Sequence, residues 1–331
     1  MKEIVLPNTG RSTSQLGFGC GNILPENAKL LEIAYDAGIR HFDVARSYGR
    51  GLTECVMASF VKRHRSDISI TTKYGIVPPS IGPIYPFLRR VGRPIVRLIR
   101  RSSTADFGIS KAIASTTRKA KFTAEEAAHS LEVSLRSLGV NAVDIFLMHE
   151  ATVADLADEG LLRFLNDCKE KGRIGAYGIG GSSERINGLC TERRPYCEVL
   201  QFDWTPFEKV DARLDAFQIV YRSFSHSNTV LHEALSRAPE IRNYWSQQTG
   251  FDIAEPDALK KLMLKATLEL RPRDIVLFSS LNRQHIAHNV DIANDNALRE
   301  PALRLAKLLL NSANEDRSIQ LYTCGSTIQR R

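Results

Sequence analysis

Residues 14–22 read SQLGFGCGN, and the reading of this stretch decides between two folds. SQLGFG (14–19) has the make-up of a short strand, and Pro25 followed by Glu26 signals a helix running to about Ala37. A strand passing into a helix through glycines is how a doubly wound dinucleotide-binding sheet begins, with the pattern GxGxxG. Gly17 and Gly19 meet the first two positions, but Asn22 stands where the third glycine belongs. The fingerprint fails. A closed (β/α)8 barrel, which has no need of that turn, becomes the better reading.

Outward from this point the chain keeps alternating strands and helices. IRHFDVA (39–45), ISITTKYG (68–75) and VDIFLMH (143–149) read as strands, the last apolar enough to be buried on both faces. Further strands are expected at 174–179, 198–204, 217–224 and 274–281, giving eight with the first. Helices are expected at 53–64, 156–171, 183–192, within 229–270 and at 284–295. Another opens at Thr123, where Glu126 three residues on completes a capping box, and runs through Leu138. Repeated βα units of this kind make an α/β protein with parallel strands. The expectation is a TIM barrel forming one domain over 1–331, with a long insertion after the third strand (about 77–122) and a C-terminal tail (about 301–331).

The net charge of +8 hints at nucleic acid until its distribution is followed. Between Phe87 and Phe122 lie ten basic residues, Arg89, Arg90 and Arg93 among them, against Asp106 alone, so the rest of the chain is close to neutral. No nucleic-acid-binding module accompanies this charge, and no nucleic-acid partner is expected. Ile84, Phe87, Leu88, Val91, Ile95 and Leu98 recur at helical spacing among the arginines, which suits contact with a membrane surface through 84–101. Gly92 and Pro94 break that helix. The favoured reading is an enlarged loop over the barrel mouth, biasing the site towards anionic substrates.

Six cysteines are scattered with no CxxC pair and no metal-ligand spacing, so reduced thiols and no metal site are expected. The N-terminus lacks the apolar core of a signal peptide and no stretch approaches membrane-span length. A soluble, cytoplasmic protein follows as the expectation. Oligomeric state is open.

Barrel enzymes carry their reactive groups at the C-terminal ends of strands. Asp43 and Tyr48 follow the second strand, Lys73 closes the third and His149 the fourth. Singly, each has an ordinary explanation: a strand-end carboxylate, a loop aromatic, a surface cation, a structural histidine. Together they make a proton donor facing a polarised carbonyl. A lysine ammonium favours the phenolate and should pull the tyrosine down from its usual pKa near 10. A carboxylate would fix the lysine, and a histidine can orient a carbonyl. No side chain supplies a hydride, so a nicotinamide cofactor is implied.

At these motifs the sequence resembles the aldo-keto reductase superfamily. LGFGCGN (16–22) is similar to its first barrel strand. AGIRHFDVARSYGRGLTE (37–54) resembles the segment with the catalytic Asp and Tyr, TTKYG (71–75) the strand with the catalytic Lys, and VDIFLMHE (143–150) the one with the catalytic His. The resemblance implies those roles for Asp43, Tyr48, Lys73 and His149. It covers most of the chain in order, apart from the basic segment and the tail. The implied reaction is NAD(P)H-dependent reduction of an aldehyde or ketone, or the reverse oxidation of an alcohol, with Tyr48 as general acid. The alternative is a nucleotide-binding regulatory or scaffold barrel without turnover.

The resemblance also implies a cofactor set. GRIGAYGIGGSS (172–183) is similar to the fifth-strand segment, but Gly180 and Gly181 replace the Ser-Asn pair that often binds the nicotinamide carboxamide. Gln201 matches the family's carboxamide-binding glutamine. In VYRSFS (220–225), Tyr221 falls where an aromatic ring stacks on nicotinamide, with Ser223 beside it. Gly21 belongs to the first-strand motif. DIVLFSSLNRQHIAHNV (274–290) resembles the adenosine-phosphate segment through Ser280 and Asn289. Ser279 and His285 replace the usual basic residues there, and Arg283 is placed to take a 2′-phosphate. NADP is therefore favoured, with NAD as the alternative.

Overall fold

The computed structural model describes residues 1–78, 118–208, 216–223 and 226–315. Eight parallel strands close into a barrel: β3 (Leu16–Gly19), β4 (His41–Asp43), β5 (Ser69–Tyr74), β8 (Val143–His149), β9 (Ile174–Gly180), β10 (Val199–Asp203), β11 (Phe217–Tyr221) and β12 (Ile275–Phe278). The seam pairs Leu277 of β12 with Gly17 of β3. Closure excludes the open sheet, as the missing third glycine predicts.

Side chains alternate across a strand, and here the odd-numbered residues face inward, except on β9, where the even-numbered ones do. One half of the interior is apolar. Ile145, Leu147, Ala176, Val199, Ile219, Ile275 and Leu277 form a single cluster across five strands. The other half, on β4 and β5, is polar: His41, Asp43, Ser69, Thr71 and Lys73 are all buried. Even-numbered residues such as Phe18, Phe42, Phe146 and Val220 pack outward against the helices. Gly178 is required by this packing, because a Cβ there would overlap the Val199 carbonyl of the neighbouring strand.

An antiparallel hairpin of β1 (Glu3–Val5) and β2 (Ser12–Ser14), not anticipated from sequence, delivers Ile4 and Leu6 to the same cluster as the inward strand residues. It plugs the end of the barrel where the strands begin. The strands' C-terminal ends form the opposite rim.

Helices α1 (Lys29–Asp36), α2 (Thr53–His64), α3 (Ala124–Leu138), α4 (Glu159–Glu170) and α5 (Ser183–Glu192) follow the sequence expectations closely. Thr123 Oγ1 accepts from the Glu126 N–H at 3.3 Å, the cap that the sequence announces. The helix expected from 156 begins at Glu159 because the Asp158 side chain caps it on Gly160 N–H. Strands are shorter than expected at 39–45 and 274–281, where pairing ends at Asp43 and Phe278. Between β11 and β12 lie α6 (His226–Ser236), α7 (Pro239–Thr249) and α8 (Pro256–Leu270). After α9 (Arg283–Asn294), the first part of the expected tail is a further helix, α10 (Arg299–Glu315).

The ends of the expected insertion come together: β6 (Ile76–Val77) pairs antiparallel with β7 (Arg118–Lys119). Its arginine-rich body, including the amphipathic stretch 84–101, lies outside the described residues, as do 224–225 of the seventh barrel strand and tail residues 316–331. No described helix is long and apolar enough to cross a membrane.

Candidate active site

Four of the sequence-derived residues meet on the rim above the polar half of the barrel. Lys73 is 2% exposed and uses all three of its ammonium donors. It donates to Asp43 Oδ1 at 2.6 Å, to the Val44 carbonyl at 3.2 Å and to the Tyr48 hydroxyl at 3.1 Å. The second Asp43 oxygen accepts from Gln201 Nε2 at 2.7 Å. Both buried charges are therefore hydrogen-bonded as well as paired, the condition under which a buried ion pair is tolerated.

Local backbone features aim these groups. Tyr48 begins a tight 3-10 turn (Tyr48–Gly51) in which Gly49 and Arg50 adopt left-handed conformations, φ 55° and 60°. Gly75, after β5, has φ 126°, and a Cβ there would collide with the His149 carbonyl; only glycine lets the two strand ends approach so closely. The His149 ring then stands edge-on to Tyr48, with centroids 6.3 Å apart and planes at 85°.

The electrostatics differ in one respect from the sequence expectation. Tyr48 is not pulled below its usual range: burial raises it, and the lowering by Lys73 offsets that only in part, with Asp43 adding to the rise. The phenol keeps its proton at neutral pH while the ammonium waits beside the oxygen. For Lys73, burial works against the charge, but Asp43 and Tyr48 together hold it above its ordinary value. His149 is lowered to about 3 by burial and then by the Lys73 charge. It is a neutral imidazole, able to hydrogen-bond a carbonyl without competing as an acid. Beneath the rim, His41 is lowered to about 3 by the same two causes and hydrogen-bonds Ser69 Oγ at 2.8 Å.

The expected cofactor residues lie along the other arc of the rim, on β10, β11, β12 and β3, which are consecutive neighbours. Gln201 spends its amide on Asp43, a link that sequence reasoning missed, and its Oε1 lies over Gly180, 3.4 Å from where a Cβ would be. Tyr221 is half-buried, its hydroxyl donating to the Gly181 carbonyl at 3.1 Å. Ser223 is fully buried, and its hydroxyl has no hydrogen-bond partner among the described residues. Ser279 donates to the Gly19 carbonyl at 2.8 Å, bolting β12 to β3. Ser280 bonds Asn282, whose side chain caps α9 on Gln284 N–H. Arg283, exposed, is the first residue of α9, and Asn289 is half-buried on the same helix. Gly21 has open space where a side chain would project. Trp204 is buried, with the Arg271 guanidinium over its ring at 4.2 Å.

Sequence reasoning also passed over the residue after His149. Glu150 has φ 60°, its N–H donates to the Gly180 carbonyl at 2.7 Å, and its carboxylate pairs with Arg185 of α5. No sequence signal marks it, since its partner is contributed by the next βα unit.

The model of the aldo/keto reductase family matches residues 15–215. A D-threo-aldose 1-dehydrogenase from Pseudomonas sp is 28% identical over 183 residues, covering 52% of this chain and 51% of that protein. The chain thus spans about half the length of the curated relatives it matches. Among solved structures, an aldo-keto reductase from Bacillus halodurans in its holo form superposes with a TM-score of 0.62 at 16% identity, covering 93% of this chain and 97% of that one. Gox0644 in complex with NADPH superposes at 0.57 with 16% identity, over 92% and 93% of the two chains. At these identities the superpositions establish the fold.

Proposed function

The chain belongs to the aldo/keto reductase family, and on that premise we propose that it reduces an aldehyde or ketone with NADPH, or runs the reverse oxidation of an alcohol. The observation that carries the reading is the buried Lys73 ammonium, bonded at once to the Tyr48 hydroxyl and the Asp43 carboxylate. Bound nicotinamide would supply the hydride. Tyr48 then delivers its proton to the carbonyl oxygen. The phenolate left behind is stabilised by Lys73, which Asp43 and Gln201 hold in place. Neutral His149 orients the carbonyl by a hydrogen bond.

The rim fits a nicotinamide dinucleotide. The Ser223 hydroxyl, without a partner among the described residues, the Gln201 Oε1 beside Gly180 and the open space at Gly21 leave room and polar groups beside the four reactive residues. Tyr221 would face the nicotinamide ring. Ser279, Ser280, Arg283 and Asn289 would take the adenosine phosphate at the N-terminus of α9, where the helix dipole favours anions. A structural neighbour holds NADPH, and Arg283 suits a 2′-phosphate, so NADP is preferred over NAD. The substrate is a small carbonyl compound. The basic insertion biases it towards anions, so rising salt should raise KM for a negatively charged substrate.

A regulatory barrel without turnover is the weaker reading. Binding alone does not require a buried ion pair, which apolar residues could replace at no loss of stability.

The test follows NADPH and NADH consumption by wild type and Tyr48→Phe over a panel of aldehydes, ketones and anionic sugars. The expected result is a kcat loss of about 10²–10⁴-fold in the variant, with cofactor binding retained. Cofactor binding without turnover of any panel member would favour the regulatory barrel, and absence of cofactor binding would sink both readings.

A further inference from the structure

The cysteines look scattered in sequence, but the fold brings two of them together. Cys190 lies in the last turn of α5, and Cys197 directly follows the 3-10 turn Arg194–Tyr196. Backbone bonds from Arg193 N–H to Leu189 O, Tyr196 N–H to Arg193 O and Cys197 N–H to Arg194 O, at 2.7, 3.0 and 2.9 Å, fold the chain back on itself. The two thiols are left in hydrogen-bond contact. Cys197 Sγ also donates to the Arg193 carbonyl at 3.6 Å. Both are half-buried and within reach of solvent, whereas Cys20 and Cys168 are buried.

We propose that Cys190 and Cys197 are a dithiol site that a hydroperoxide oxidises reversibly to a disulfide. The Cys190 thiolate attacks one peroxide oxygen and the O–O bond breaks. An alcohol, or water from hydrogen peroxide, leaves, and Cys190 becomes a sulfenic acid. The Cys197 sulfur attacks the Cys190 sulfur, and the displaced hydroxide departs as water with the Cys197 proton. The peroxide gains two electrons and the thiol pair loses two. Contact with Cys190, and then burial, push the Cys197 thiol well above its ordinary range, so Cys197 keeps its proton until the second step. Arg193 and Arg194 lie between the two cysteines, and Arg194 favours negative charge at the pair.

The site is independent of carbonyl chemistry. Cys197 lies just before β10, at the strand's N-terminal end, whereas Gln201 and the reactive rim lie towards the C-terminal end.

The full-length protein is treated with hydrogen peroxide, its remaining thiols are alkylated, and it is digested with trypsin without reduction. Cleavage after Arg193 puts the two cysteines on separate peptides. The expected product is a linked pair two hydrogens lighter than its parts, formed ahead of any change at half-buried Cys55 and reversed by dithiothreitol. In Cys197→Ser, Cys190 should instead be trapped as a sulfenic acid by dimedone. The proposal is overturned if Cys55 reacts first while both thiols stay alkylatable, if each is oxidised without linkage, or if Cys190 is inert in Cys197→Ser.

Discussion

The two arcs of the barrel rim are built in opposite ways. On β4 and β5, the proposed reactive groups are wired to one another before any ligand arrives: Lys73 has no donor to spare, and both Asp43 oxygens are engaged. Between β12 and the start of α9, Asn282 and Arg283 are exposed and Ser280 is half-buried, and Ser280 and Asn282 bond each other locally. The contrast follows from the tasks the two arcs would have. Proton delivery gains from dipoles and charges fixed in a water-poor site, because no reorganisation is then needed during reaction. A phosphate grip must release its ligand, and can rely on a helix N-terminus and a solvated cation.

If that division is right, damage to the wired arc should be severe and damage to the open arc mild. The sharpest break is Lys73→Met, which strands the Asp43 carboxylate in the barrel. Steady-state assays should show kcat falling by at least about 10²–10⁴-fold. Denaturant melts should show about 3–5 kcal/mol of lost stability. A stable, active variant would mean that the ion pair is ornamental.

His149→Ala probes the same arc without breaking the ion pair. A loss of about 10²-fold in kcat/KM is expected, with the thermal midpoint little changed. Equal losses in stability and activity would instead assign His149 to packing.

The polar interior beneath the wired arc should show in acid. His41 has an ordinary value of 6.5 and is held near 3 in the fold. The unfolded chain therefore takes up this proton first, and stability falls as pH drops from 6.5 towards 3. The slope is up to about 1.4 kcal/mol per pH unit. His149 adds to it less, being partly open to water at the rim. Urea melts across that window should have a shallower pH slope in His41→Gln than in wild type. Parallel slopes would remove His41 from the account.

On the open arc, Arg283→Ala should raise the KM for NADPH by roughly 2–5-fold. It should leave NADH unchanged, and the difference should shrink as salt rises. A loss as large as that of Lys73→Met would erase the distinction between the arcs.

Much of this was legible in the chain itself, for reasons that vary by region. Helix 53–64 and strand 143–149 were bounded correctly from sequence because their ends carry local signals and their interiors are uniformly patterned. Strand ends at 39–45 and 274–281 were overextended, because no local signal marks the last residue that has a pairing partner. The N-terminal hairpin was missed since short polar strands such as Ser12–Ser14 have no periodicity to read. Asp43, Tyr48, Lys73 and His149 are legible as candidates because each sits at a strand end or in the turn just after one. The Gln201 link to Asp43 and the Glu150–Arg185 pair join residues far apart in the chain, and no spacing rule reaches across such a distance.

The sequence by itself determined the alternation of strands and helices, the closed barrel over the open sheet, and the order in which the reactive groups arrive at the rim. Those follow from local patterning, which a linear chain carries in full. Only the tertiary structure decided that Tyr48 keeps its proton, that Gln201 braces Asp43, and that Cys190 meets Cys197. Burial and through-space contact set these, and both exist only once the strands have closed around them.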